Sequence, residues 1–283
     1  MIRTVPRSDD FLSAPLNRLV TILREMESAV IAYSGGVDST FLLKVAALAG
    51  MRSMAVTGVS PTMPRQDFID AEEMAKALGI PHSIIETSEL EKEDFRQNPP
   101  DRCFHCKNEL FTRLACIAKS GGYRYVLDGS NLDDLDDWRP GRRAALAHGV
   151  RSPLIEAGLR KQEIRQLSLE LNLPTWNKPS SPCLSSRFPY GEPITAEALA
   201  RVESAEGVLK SLGFREFRVR HHGETARIEV KETEILRILD PEVRFPIIRN
   251  LRALGYRFVT LDLEGFRSGR LNEAVSDSSS SRD

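Results

Sequence analysis

The sequence predicts an α/β protein, a doubly wound parallel sheet followed by a smaller C-terminal α+β unit. Three observations carry this. From Ala29 onward, short apolar runs alternate with longer helical segments that close on glycine, the pattern of right-handed crossovers packed on both faces of a sheet. Near the C-terminus two alternating runs, "EFRVRHH" and "ARIEVK", are joined by "GET", as in a strand pair. Between the two regions lies "KPSSPCLSSRFPYG", residues 178–191, which has neither helical nor strand period.

In order, "AVIAY" reads as a strand and "VDSTFLLKVAALAG" as its helix; "RSMAVTGV", "RQDFIDAEEMAKALG" and "HSIIET" repeat the alternation. The helix "KNELFTRLACIAKSGG" leads to the strand "YRYVLDGSN", and "RSPLIEA" reads as a further strand before the helix "KQEIRQLSLELNLP". Beyond the proline-rich stretch come the helix "TAEALARVESAEGVLKSLG", the strand pair, the short helices "TEILRILD" and "EVRFPIIRNLRALG", and the strand "RFVTLDLE". The expected organisation is a nucleotide domain over 15–175, an active-site segment over 176–194 and a C-terminal domain over 195–267. The serine-rich end of the chain, 268–283, is expected to be a mobile tail.

Composition narrows the partners. With 283 residues, 41% hydrophobic and 28% charged, the chain has the balance of a soluble globular protein. A net charge of -1 provides no global attraction to nucleic acid or anionic lipid. No apolar run approaches the ~18 residues of a membrane span, and "MIRTVPRSDDFLSAP" lacks the shape of a signal peptide. A cytoplasmic protein without a membrane partner is expected. In a reducing compartment its four cysteines are read as ligands, nucleophiles or core rather than a disulfide framework.

The sharpest signal is "AVIAYSGGVDST". A strand runs into Ser34, Gly35 and Gly36 and a helix begins near Val37, so backbone N–H groups and the helix dipole converge on an anion site. Ser34 and Ser39 add hydroxyls, and Asp38 either orients the turn or holds Mg2+. The loop is not a Walker A motif, having no lysine, and not a dinucleotide GxGxxG turn. A glycine turn that merely caps a helix is the plainer alternative. "SGGVDS" resembles the signature of the PP-loop ATP pyrophosphatases, the superfamily of GMP synthetase, NAD synthetase, asparagine synthetase and the tRNA thiolation enzymes. The resemblance implies ATP cleavage between its α and β phosphates and an adenylated carboxylate or carbonyl as intermediate.

"DRCFHCK" sets Cys103 and Cys106 just before a helix, suited to one metal or cluster. With Cys183 there are three thiolates. A zinc site would need a fourth ligand, for which His105 or His148 is available, whereas a four-iron cluster on three cysteines leaves one iron open. Cys116, beside Leu114 and Ile117 on an amphipathic helix, reads as core. "SGGVDST", "DRCFHCK", "DGSNLDDLDDWRPG", "PCLSSRFPYGEPIT" and "RVRHHGETARIEV", in this order, resemble the LarE family of ATP-dependent sulfur transferases over about residues 20–265.

That resemblance implies a PP-loop domain of the adenine nucleotide alpha hydrolase-like fold. The implied substrate is the small molecule pyridinium-3,5-biscarboxylic acid mononucleotide, on the route to the nickel-pincer nucleotide. Ser34, Gly35, Gly36, Asp38, Ser39 and the Gly129 of "DGSN" would bind ATP. Ser186, Arg187, Arg218 and Arg220 would bind the substrate phosphate, with Glu206 and Glu229 nearby. Family members deliver sulfur either by sacrificing a cysteine, which becomes dehydroalanine, or from sulfide on the open iron of a 4Fe-4S cluster. The presence of Cys103, Cys106 and Cys183 favours the cluster, with the donor of its sulfide unidentified. A homo-oligomer, a hexamer, is also implied.

The arginines of "EFRVRHH" have a plainer reading as a solvated strand face. Asp133 and Asp134 of the acidic loop, Asp134 as the catalytic candidate, compete with a role as helix cap. A tRNA thiolation enzyme shares loop and cysteines but would show a basic footprint. An amidotransferase synthetase would leave "PCLSSR" without a task, and a decayed nucleotide-binding module would not keep both loop and cysteines.

Overall fold

The computed structural model describes residues 14–136, 139–267 and 270–272. They form two compact units. The first comprises Met1–Ser60, Arg65–Thr87 and Cys103–Ser181; the second comprises Pro61–Pro64, Ser88–Arg102 and Pro182–Asp283.

The first unit runs α1 (Ala14–Met26), β1 (Ser28–Ala32), α2 (Val37–Leu48), β2 (Arg52–Val59), α3 (Arg65–Leu78) and β3 (His82–Glu86). The chain then gives α4 (Glu93–Arg96) to the second unit and returns along α5 (Arg102–Gly121) to β4 (Tyr125–Leu127), α6 (Gly141–Ala147), α7 (Pro153–Glu156) and α8 (Lys161–Glu170). The strands form one parallel sheet in the order β3-β2-β1-β4. Period-two alternation sends side chains to both faces. Ala29 and Ile31 pack with Leu23, Phe41 and Ile164, while Val30, Val56 and Val126 pack with Phe111, Leu114 and Ala144. A sheet covered on both faces brings the loops after β1 and β4 to its C-terminal edge, where ligands of such folds bind.

The second unit continues with α9 (Ala196–Ser211), β5 (Phe217–His222), β6 (Thr225–Val230), α10 (Ile235–Leu239), α11 (Pro241–Ala253) and β7 (Phe258–Leu261). β5 and β6 are antiparallel, with Arg218 opposite Glu229, and β7 joins β6 in parallel. Leu209, Phe214, Val219, Ile228, Leu251 and Tyr256 form its core.

Three sequence expectations are corrected. "RSPLIEA" is the helix α7, not a strand; Pro153 sits at its first position, where a missing N–H costs nothing. Only Arg151 bridges to β4, at Leu127. Cys103 and Cys106 lie inside the N-terminal part of α5 rather than before it. Cys116 is exposed, because α5 buries Phe111, Leu114 and Ala118 on another face. Helix α1 was not anticipated, although Leu16, Leu19, Val20 and Leu23 carry a helical period. Of the proposed tail, Arg270–Asn272 form a short 3-10 turn; the rest lies outside the described residues.

Candidate functional site

The loop after β1 is shaped by its glycines. Gly35 has φ +67°, and a Cβ there would stand 2.8 Å from Ala71 Cβ on α3, so only glycine fits the turn against that helix. Gly36 is the N-cap of α2 and offers no capping side chain, which leaves the first-turn N–H groups for an anion. The Ser34 and Ser39 hydroxyls lie 3.2 Å apart, and the Ser34 N–H donates to Ser39 Oγ at 3.3 Å. Gly129, after β4, backs directly onto this turn: a Cβ would lie 3.0 Å from the Ser39 nitrogen. Its observed task is close packing against the start of α2.

Asp38 points one carboxylate oxygen at Lys161 Nζ, 2.5 Å away, while Oδ1 is buried without a hydrogen-bond partner. Burial outweighs Lys161 and holds the Asp38 carboxyl above the ordinary carboxylate range. An oxygen left in that state suits a hard cation such as Mg2+. Lys161 itself is placed by the acidic turn. Asp133 accepts from the Lys161 backbone N–H at 2.8 Å and from Arg160 at 2.6 Å, and both bonds lower its pKa.

Asp134 is largely consumed in structure. Its Oδ2 accepts the Asn131 N–H at 3.0 Å in a capping box, and Oδ1 pairs with Arg139 at 2.9 Å. Neither aspartate caps the helix near Arg142, whose N-cap is Pro140; Asp134 closes its own turn and Asp133 binds the start of α8. Asp137 of the same motif lies outside the described residues.

In the second unit Cys183 precedes a single 3-10 turn, Leu184–Arg187. Arg187 is 2% exposed. It grips Glu206 with two bonds of 2.9 Å and donates to the Pro182, Cys183 and Ser186 oxygens at 2.7, 3.1 and 3.0 Å. Arg220 forms the same fork with Glu229, at 3.0 and 2.7 Å, and reaches the Ser186 carbonyl at 2.8 Å. A solvated strand face is thereby excluded for Arg220. Arg218 is held near both other arginines; burial first, then Arg187, push its pKa down to about 10. Arg187 and Arg220 are each paired with a glutamate and Arg218 lies in their field; planar guanidinium groups gathered in this way suit a phosphate. Ser186, Arg187, Arg218 and Arg220 are thus brought together, whereas the two glutamates emerge as the elements that hold them. Lys161 was missed because nothing in the spacing of "RKQEIR" ties it to a loop so distant in sequence.

All four cysteines are thiols. Cys103 and Cys106, three apart on α5, belong to the first unit and Cys183 to the second. Among the described residues no group of three or more His, Cys, Asp or Glu side chains is assembled to hold a metal ion. The thiolate donor set suits iron and sulfide by its chemistry, but the described residues do not present it as a formed three-ligand site.

Sheet, crossover order and uncapped glycine loop define an ATP-using enzyme of the PP-loop class. No family model matches the chain. It is 44% identical over 265 residues to an uncharacterised protein of Synechocystis, covering 93% of this chain and 99% of that one. It is 40% identical over 259 residues to the pyridinium-3,5-bisthiocarboxylic acid mononucleotide synthase of Lactiplantibacillus plantarum, covering 91% and 93%. The tRNA-specific 2-thiouridylase of Xanthobacter autotrophicus is 29% identical over 217 residues, 62% of this chain and 55% of that protein. The chain belongs to the LarE family of ATP-dependent sulfur transferases. Among the described residues, no helix is long and apolar enough to cross a membrane.

Proposed function

We propose that this protein adenylates a carboxylate of pyridinium-3,5-biscarboxylic acid mononucleotide with MgATP, releasing pyrophosphate, and converts it to a thiocarboxylate in nickel-pincer nucleotide biosynthesis. The observation that carries the reading is the start of α2: uncapped N–H groups behind Gly35 and Gly36, beside an Asp38 oxygen without a partner. The N–H groups bind the pyrophosphate portion of ATP and Asp38 orients Mg2+. A substrate carboxylate oxygen attacks the α phosphorus and pyrophosphate leaves. Sulfide then adds to the acyl carbon, and the original oxygen departs with AMP.

Ser186, Arg187, Arg218 and Arg220 bind the phosphate of the mononucleotide, a reading supported by the gathering of the three guanidinium groups around Ser186. Cys103, Cys106 and Cys183 are the residues that would hold a 4Fe-4S cluster. Such a cluster supplies an open iron for sulfide. The second reading is sacrifice of Cys183, favoured by its partial exposure. A cytoplasmic homo-oligomer, a hexamer, completes the proposal.

The test is nucleotide analysis with the pure mononucleotide. AMP and pyrophosphate formed in equal amounts, and only when the carboxylated substrate is present, support the reading. ADP and orthophosphate, or indifference to the substrate, would overturn it.

A further inference from the structure

The segment that follows Cys183 is anchored by a residue the chemistry above does not use. Asn98 is fully buried and has φ +52°, the left-handed region that asparagine tolerates better than most residues. Its side-chain amide donates to the Pro189 carbonyl at 2.6 Å and to the Phe188 carbonyl at 3.5 Å. Its Oδ1 accepts from Arg102 Nη1 at 2.5 Å, and its backbone carbonyl accepts the Gly191 N–H at 2.9 Å. Nearby, Ile194 N–H donates to the Arg96 carbonyl at 2.9 Å, and Leu184 N–H to the Thr62 carbonyl at 2.7 Å. Arg102 is also buried, and its guanidinium lies 5.1 Å from the centre of the Tyr190 ring.

Buried hydrogen bonds of this kind specify one backbone geometry, because breaking them leaves carbonyl oxygens without partners in a dry site. The Asn98 side chain holds the carbonyls of residues 188 and 189, beside the buried Phe188, and Cys183 sits one short turn away. Arg102, moreover, is followed in the chain by Cys103.

We propose that Asn98, with Arg102, is a positioning residue for sulfur transfer, fixing the backbone on which Cys183 is presented. The proposal rests on the reading that Cys183 delivers or holds sulfur. Its first consequence, however, is a property of the Cys183 thiol that can be measured without substrate.

Asn98→Ala would be strained at the left-handed φ, so Asn98→Gly is the informative variant: it keeps the backbone and removes only the side-chain bonds. Asn98→Asp keeps the shape but faces carbonyl oxygens with an acceptor. For each, the melting curve, pyrophosphate release, thiocarboxylate formation and the iodoacetamide labelling rate of the Cys183 peptide are measured. In a folded Asn98→Gly protein, Cys183 labelling should change by about threefold or more. Thiocarboxylate formation should fall about a hundredfold, with pyrophosphate release within about twofold of wild type. Unchanged labelling, unchanged sulfur transfer, or an equal loss of pyrophosphate release would overturn the proposal. If the wild type releases no pyrophosphate, the functional reading fails; the labelling comparison still decides whether Asn98 positions Cys183.

Discussion

Lys161 Nζ lies 2.5 Å from Asp38 Oδ2, joining residues 123 apart in the chain. The glycine loop after β1 has no lysine of its own, and this contact brings an ammonium group to the first turn of α2 from the start of α8. Asp133 makes the arrangement possible by binding the Lys161 backbone N–H. A turn that reads in sequence as acidic and solvated thus places a cation beside the glycine loop that follows β1.

Asp38 should trade stability for activity. Its folded pKa is raised by burial, so the charged form is the one folding disfavours. The contribution from the neutral carboxyl is present at low pH and is lost as pH rises through the folded pKa. Asp38→Asn should therefore raise Tm by about 2 °C at pH ~8, with a gain that shrinks toward pH ~4. The same variant should lose at least about tenfold in ATP turnover. Melting curves across pH and an AMP assay check both halves.

Two glycines should separate backbone strain from crowding. Gly35→Ala meets both a positive φ and Ala71, and should destabilise by about 1–3 kcal/mol while abolishing ATP use. Gly129→Ala crowds the backbone of Ser39 and Asp38 without a positive φ, costs about 1 kcal/mol, and should raise KM for ATP more than it lowers kcat. Urea unfolding and initial rates distinguish the two.

Glu206 should matter for folding as much as for binding. Glu206→Gln leaves the almost fully buried Arg187 without its carboxylate, and unfolding should become easier by about 3 kcal/mol. Replacing Arg187 and Glu206 together by apolar side chains should recover part of that loss in urea titrations, because no unpaired charge remains.

The cysteines make a prediction about metal content. Protein purified without oxygen should carry about four irons with acid-labile sulfide, and Cys103→Ala, Cys106→Ala and Cys183→Ala should each lose them. Iron-free wild-type protein that is nevertheless active would instead point to sacrifice of Cys183.

The parallel sheet was legible because apolar strands and glycine-closed helices repeat locally, and the loop because strand, turn and helix are contiguous in "AVIAYSGGVDST". "RSPLIEA" misled because its apolar residues suit either period; Pro153 at a helix start decided it. Cys116 misled for a different reason: apolar neighbours in sequence say nothing of which helix face carries the residue itself. Lys161 and Asn98 could not be found from local pattern, since each acts on residues distant in the chain, and Glu206 was named only through the family resemblance, without its role of holding Arg187. The "NPP" at Asn98 does mark a turn, but only its buried hydrogen bonds reveal what that turn holds.

The most direct test of the central claim is the mass of the mononucleotide after incubation with MgATP, a sulfide source and the protein, for wild type and Cys183→Ser. The account predicts replacement of a carboxylate oxygen by sulfur with one pyrophosphate released per sulfur, and in the variant pyrophosphate release without sulfur in the product. Sulfur incorporation undiminished in Cys183→Ser, or pyrophosphate release from wild type with no sulfur in any product, would contradict it.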